Sequence, residues 1–198
     1  MAKSPSLEKY IEATDFVDYH DPNIILLANK LKKSQKTEIE QTRTIFEFVR
    51  DEIDHSFDIN AKTVTISASE VLAEGHGICY AKSNLLAALL RASGIPSGFS
   101  YQKLLFEEGS TQMSLHSLNG IYLESIDKWI RVDARGNKSG VDAQFDLENE
   151  MLAFEVREEF GEVDYFEIHA EPLPSIIHSL EISASTTELI ANLPTDLS

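Results

Sequence analysis

Gly75-His76-Gly77-Ile78-Cys79-Tyr80-Ala81-Lys82-Ser83-Asn84-Leu85-Leu86 joins a glycine turn to an apolar run at the only cysteine of the 198-residue chain. With one cysteine, no disulfide forms within the chain. The run continues to about Ser93, where Gly94 is a suitable residue beyond a helix end and Pro96 forbids continuation. Cys79 therefore opens a predicted helix. The first turn of a helix presents unpaired N–H groups and the positive end of the macrodipole. Both favour a thiolate, and the same N–H groups can receive an oxyanion. A flanking glycine turn lets backbone and substrate approach closely. A free cysteine is also a good core filler. Cys79, Ser83, Leu86 and Leu90 share one helical stripe, so the turn and helix alone leave both roles open.

Further along, the pattern changes to β. Phe99 to Phe106, Ser114 to Leu123 and Lys128 to Val132 read as three strands. His116 lies in the second, and Asp133 ends the third. The connection Glu124-Ser125-Ile126-Asp127 is short enough for a hairpin. A loop of two or four residues sets either His116 or Leu118 opposite Asp133. Directly opposed residues share a sheet face, and so do residues i and i+2. Both registers bring the imidazole and the carboxylate to one face, whereas an odd loop or a bulge separates them. A thiol nucleophile needs a base, and the base needs an orienting group. Cys79, His116 and Asp133 supply those three roles. The pair also reads as a polar cross-strand contact that only stabilises a hairpin.

These motifs together resemble the transglutaminase-like superfamily. The resemblance rests on Gly77-x-Cys79, the helix end Leu89-Leu90-Arg91-Ala92-Ser93-Gly94-Ile95-Pro96, the strand histidine and Trp129-x-x-Val132-Asp133. It covers roughly Ile45 to Asn137. Gly75 to Lys82 and Arg131 to Lys138 look like a small bacterial subgroup. The resemblance implies an α+β, papain-like core: N-terminal helices and a cysteine-bearing helix packed on an antiparallel sheet. It maps Cys79 to nucleophile, His116 to general base and acid, and Asp133 to the histidine orienter. The implied function is acyl transfer from an amide or peptide bond, as amidase, protease or transglutaminase. The alternative is a non-catalytic interaction module that keeps the fold. The chain departs from many relatives in having Ser117-Leu118, not an aromatic residue, after the histidine. It also lacks a papain-style glutamine before Cys79, where Ala73 and Glu74 stand. Cys79 N–H would then serve the oxyanion with a second donor, for which His55 and the Ser56 loop are the candidates.

Elsewhere, Asp21-Pro22 opens a helix through about Lys33, and Thr37 with Glu40 forms a capping box for a longer helix ending near Asp54-His55. Val64 to Ile66 reads as a short strand or extended piece, and Ser69 to Glu74 as a short helix or turn. Tyr165 to His169 reads as a strand, with short helices at Ser175 to Glu181 and Thr187 to Leu193. No repeat or long linker divides residues 1–198, so one α+β domain is expected. A zinc site on His76, Cys79 and His116 lacks a fourth ligand, so no metal or cofactor is expected. His76 is expected to line the cleft or pack the turn, Arg135 and Asn137 to border the cleft or stabilise a turn, and Trp129 to be a sheet residue. His20, His169 and His178 read as surface or structural.

The hydrophobic content of 42% and charged content of 25% suit a soluble globular chain. The net charge of −16 argues against nucleic acid or an anionic membrane as partner. Acid is densest between Asp142 and Glu171, which reads as a solvated face. A lone cysteine and the polar start Met1-Ala2-Lys3-Ser4-Pro5-Ser6 lead to the expectation of a cytoplasmic protein with a peptide, protein or small amide substrate.

Overall fold

The computed structural model describes residues 7–107 and 109–197. The Met1 to Ser6 stretch, from which the cytoplasmic expectation was partly drawn, lies outside them. Helix α1 is Pro22–Lys32, capped by the Asp21 carboxylate, which accepts from the N–H groups of Asn23 and Ile24. Helix α2 is Glu38–Glu52, opened by the full Thr37–Glu40 capping box. Helix α3 is Ala68–Glu74, opened by a second capping box on Ser67 and Glu70. Between them, β1 (Asp54–His55) pairs in parallel with β2 (His76–Gly77). Val64 to Ile66 joins no ladder.

Helix α4, Cys79–Ala92, is the centre of the packing. Tyr80 to Arg91 are all buried, because α1, α2, α3 and the sheet enclose the helix. Leu85, Leu86, Leu89 and Leu90 are fully buried, and each such side chain contributes roughly 1.5–3 kcal/mol. Lys82, Asn84 and Arg91 in this apolar shell each donate to backbone carbonyls. Lys82 Nζ donates to the carbonyls of Arg50 and Ile53 at the end of α2, and burial brings its pKa down to about 8. Asn84 Nδ2 donates to Ile66 O at 2.8 Å. Arg91 spans to Ser97 O and Glu12 O.

Beyond Gly94, β3 (Ser97–Leu105), β4 (Met113–Leu123), β5 (Lys128–Val132) and β6 (Val163–His169) form an antiparallel sheet in the order β5-β4-β3-β6. Helices α5 (Pro174–Glu181) and α6 (Thr186–Asn192) follow. The sheet meets α4 through Asn119, whose Nδ2 donates to Ser83 O at 3.1 Å, and through Tyr80, whose hydroxyl donates to Leu115 O at 2.7 Å. One apolar cluster runs from Val17 on the N-terminal side to Leu189 in α6. Trp129 is a sheet residue, set edge-on to Tyr10 with ring centroids 4.9 Å apart. No helix of the described residues is long and apolar enough to cross a membrane.

Candidate active site

The two glycines before Cys79 do different work. Gly75 ends α3 with φ +72°, a left-handed conformation that favours glycine. Gly77 lies against the first turn of α4: a Cβ there would stand 3.1 Å from Ala81 Cβ and 3.3 Å from Thr65 Oγ1. The β1–β2 pair pins this turn, with Ser56 N–H donating to Gly77 O at 3.1 Å. His76 packs the turn: its Nδ1 is 3.0 Å from Ser56 Oγ, and its ring is buried. Cys79 thus emerges half-buried at the first position of a rigidly held helix.

The β4–β5 ladder sets Asn119 opposite Val132, the register that puts Leu118 opposite Asp133 and His116 one diagonal step away. His116 Nε2 stands 2.7 Å from Asp133 Oδ2. Asp133 is fully buried, and its oxygens also accept from the N–H groups of Arg135 (3.0 Å) and Ala153 (3.2 Å). Burial pushes this carboxyl up, but His116 and the two N–H groups outweigh it and hold the carboxyl below its ordinary range. Burial also opposes charge on His116. The Asp133 carboxylate and the neighbouring Cys79 outweigh burial and raise the His116 pKa to about 10. With Nε2 committed to Asp133, Nδ1 is the ring nitrogen left for the thiol.

A cavity of about 710 Å³ opens over Cys79 and His116, walled by Phe57, Phe106 and Phe154. Phe154 sits edge-on to His116, with centroids 5.0 Å apart. Arg135 lines the cavity, as one of its two expected roles required, and is clamped by Asp58 at 2.7 and 2.9 Å. Asn137 is a turn residue: its Oδ1 accepts from Ala143 N–H at 2.7 Å. His55 also lines the cavity. Burial and then Arg135 hold its pKa well below the ordinary histidine value, so the ring is neutral.

Sequence reasoning missed Phe154. It lies in an irregular stretch without periodicity, and only its fold-back onto His116 reveals it. Among the described residues no cluster of three His, Cys, Asp or Glu side chains is arranged to hold a metal. The acidic 142–171 region is not uniformly solvated. Glu162 is buried against Arg157, and Glu150 and Asp164 clamp Arg131.

Comparison with known proteins gives a family match. The model of the "Transglutaminase-like superfamily" matches residues 26–134, more than half of the chain. A solved structure described as "a Putative Cysteine Protease from Cytophaga hutchinsonii" shares the fold, with TM-score 0.56 and 18% identity. That alignment covers 67% of this chain and 43% of the other. A second, "a Putative Protease from Parabacteroides distasonis", gives TM-score 0.41 at 16% identity over 67% of this chain and 29% of the other, and carries no argument. The chain thus spans less than half the length of these solved structures. A search of curated proteins finds no match.

Proposed function

Because the chain belongs to the transglutaminase-like superfamily, we propose that it is a cysteine-dependent acyl-transfer enzyme acting on an amide or peptide bond, with Cys79 as nucleophile, His116 as general acid and base, and Asp133 as the group that orients His116. The observation that carries the reading is the buried His116 Nε2–Asp133 Oδ2 contact of 2.7 Å, on a ring that lines the same cavity as Cys79. A polar hairpin contact needs no thiol beside it.

In the first half-reaction the Cys79 thiolate attacks the carbonyl carbon. A C–S bond forms, and the carbonyl π electrons move to oxygen. Cys79 N–H, free at the start of α4, faces this charge. The neutral His55 ring, in the same cavity, is the second donor. The oxyanion then collapses, the C–N bond breaks, and His116 gives its proton to the leaving nitrogen. In the second half-reaction His116 takes a proton from water or from an amine, which attacks the thioester. The C–S bond breaks and the thiolate returns. Water makes the enzyme an amidase or protease; an amine makes it a transglutaminase. Hydrolysis is the default reading, since water needs no second binding site.

The test is a library of glutamine-containing peptides and small amides, followed for ammonia or amine release and for incorporation of a labelled primary amine. Release without incorporation is expected. Incorporation would assign amine transfer, and silence across the library with native, folded protein would favour the non-catalytic module.

A further inference from the structure

The β4–β5 ladder ends at the Asn119–Val132 pair, and β5 ends at Val132. Asp133 therefore follows the strand, and His116 stands on a stretch of β4 that β5 does not reach. Yet Asp133 is 0% exposed and His116 only 6%. Part of their cover comes from the irregular segment that follows Gly140. Ala153 N–H donates to Asp133 Oδ2 at 3.2 Å, the same oxygen that stands 2.7 Å from His116 Nε2. The next residue, Phe154, sets its ring against the imidazole, with centroids 5.0 Å apart and an interplanar angle of 85°. One dipeptide thus touches both members of the pair, the carboxylate by its backbone and the imidazole by its side chain.

The dipeptide is itself held. Ala153 packs with Val141 and Ala143 in a small apolar cluster, and Phe154 lies against that cluster. Gln144 N–H donates to Met151 O at 2.9 Å, and Arg50 Nη1 donates to Ala143 O at 3.0 Å, which ties the segment to α2. The Arg135 guanidinium, fixed by Asp58, stands 5.9 Å from the Phe154 ring centroid. Phe154 is half-buried and lines the cavity over Cys79, so its ring lies between open space and the histidine. A hydrogen bond between charged groups weakens where water can solvate either partner, and strengthens where water is kept off.

We propose that Phe154 is a positioning residue: its ring, placed by the Ala153 N–H bond to Asp133, keeps water off the His116–Asp133 hydrogen bond and so holds the imidazole with Nδ1 free for Cys79. The consequence for turnover rests on the acyl-transfer reading; the exclusion of water does not. The other titratable or charged groups around the pair are Cys79 and Lys82 in α4, His55 in β1 and Arg135 beyond β5. Substitution of Phe154 leaves all four in place.

The test reads the Nε2 proton of His116 by NMR in full-length protein, isotope-labelled in histidine and free of substrate. Its resonance is identified by its loss in His116→Ala. Exchange of that proton with water is expected to be about tenfold or more faster in Phe154→Ala than in the wild type. Phe154→Leu, which keeps an apolar cover, is expected to stay within about threefold of the wild type. Phe154→Asn, close to leucine in shape but polar, is expected to exchange as fast as Phe154→Ala. The pair Phe154→Leu and Phe154→Asn separates apolar cover from bulk, and it decides the matter even where Phe154→Ala packs poorly. Unchanged exchange in Phe154→Asn, or equal exchange in that pair, would overturn the seal.

Turnover is expected to follow the same order, with kcat about tenfold lower in Phe154→Ala and Phe154→Asn, KM little changed, and Phe154→Leu close to the wild type. A raised KM with kcat and proton exchange unchanged would make Phe154 a substrate wall and overturn the positioning role. Fast exchange in Phe154→Asn, in a protein whose wild type turns over no library substrate, would support the seal and count against the acyl-transfer reading alone.

Discussion

Cys79→Ala is expected to fold like the wild type and to lose acyl transfer by on the order of 10⁶-fold, the scale seen when a covalent nucleophile is removed. Cys79 is half-buried at the start of α4, so the change removes one sulfur without opening a core cavity. The helix keeps its anchors: Lys82 on the end of α2, Asn84 on Ile66 O and Arg91 on Ser97 O. Thermal melts of the two proteins should therefore superimpose to within a few degrees, while turnover of any library substrate falls to background. A variant that retains turnover would remove the nucleophile from the account. A variant that unfolds would show that the thiol is a core filler after all.

Asp133→Asn and His116→Ala carry the second large effect, a fall in kcat/KM of about 10²–10⁴-fold, the range of general acid–base catalysis. For Asp133→Asn the pH profile is the sharper readout. In the wild type, His116 stays protonated until pH rises through about 10, so the basic limb of kcat/KM lies there. Without the carboxylate, the limb is expected to move down toward the ordinary histidine value of about 6.5. The same shift has a stability consequence. A histidine whose pKa is raised by folding contributes stability that is fully present below about 6.5. That contribution is lost as pH rises through the folded value of about 10. The gap in melting temperature between wild type and His116→Ala should therefore narrow from pH 6 toward pH 10. A gap that widens over that interval would contradict the charged pair.

The legible parts of the fold were those with local causes. Asp21-Pro22 and Thr37-x-x-Glu40 marked helix starts through capping chemistry that operates within one turn. Gly94 and Pro96 marked where the cysteine helix stops. Parity alone limited the His116–Asp133 relation to two same-face registers, and the observed one joins Leu118 to Asp133 through Asn119–Val132. The two-residue parallel pair β1–β2 was not legible, because so short a ladder leaves no periodicity, and Val64 to Ile66 offered a stronger β-branched signal with no partner to pair with. Asp58, Phe154 and Gln102 were equally hidden. Each is placed by pairings made at long range: Asp58 with Arg135, Phe154 with His116, and Gln102 opposite His116 in the β3–β4 ladder. His55 was legible only as one of two options for the oxyanion; of the two, His55 lines the cavity and Ser56 does not.

The central claim is that the Cys79 thiol is activated by His116 in the folded protein, and alkylation by iodoacetamide across pH tests it most directly. The account predicts that native wild-type protein is alkylated readily at about pH 6–7. His116→Ala should react about tenfold or more slowly there, with the two rates converging at high pH. A thiol that reacts only after denaturation, or one whose rate is indifferent to His116, would contradict it.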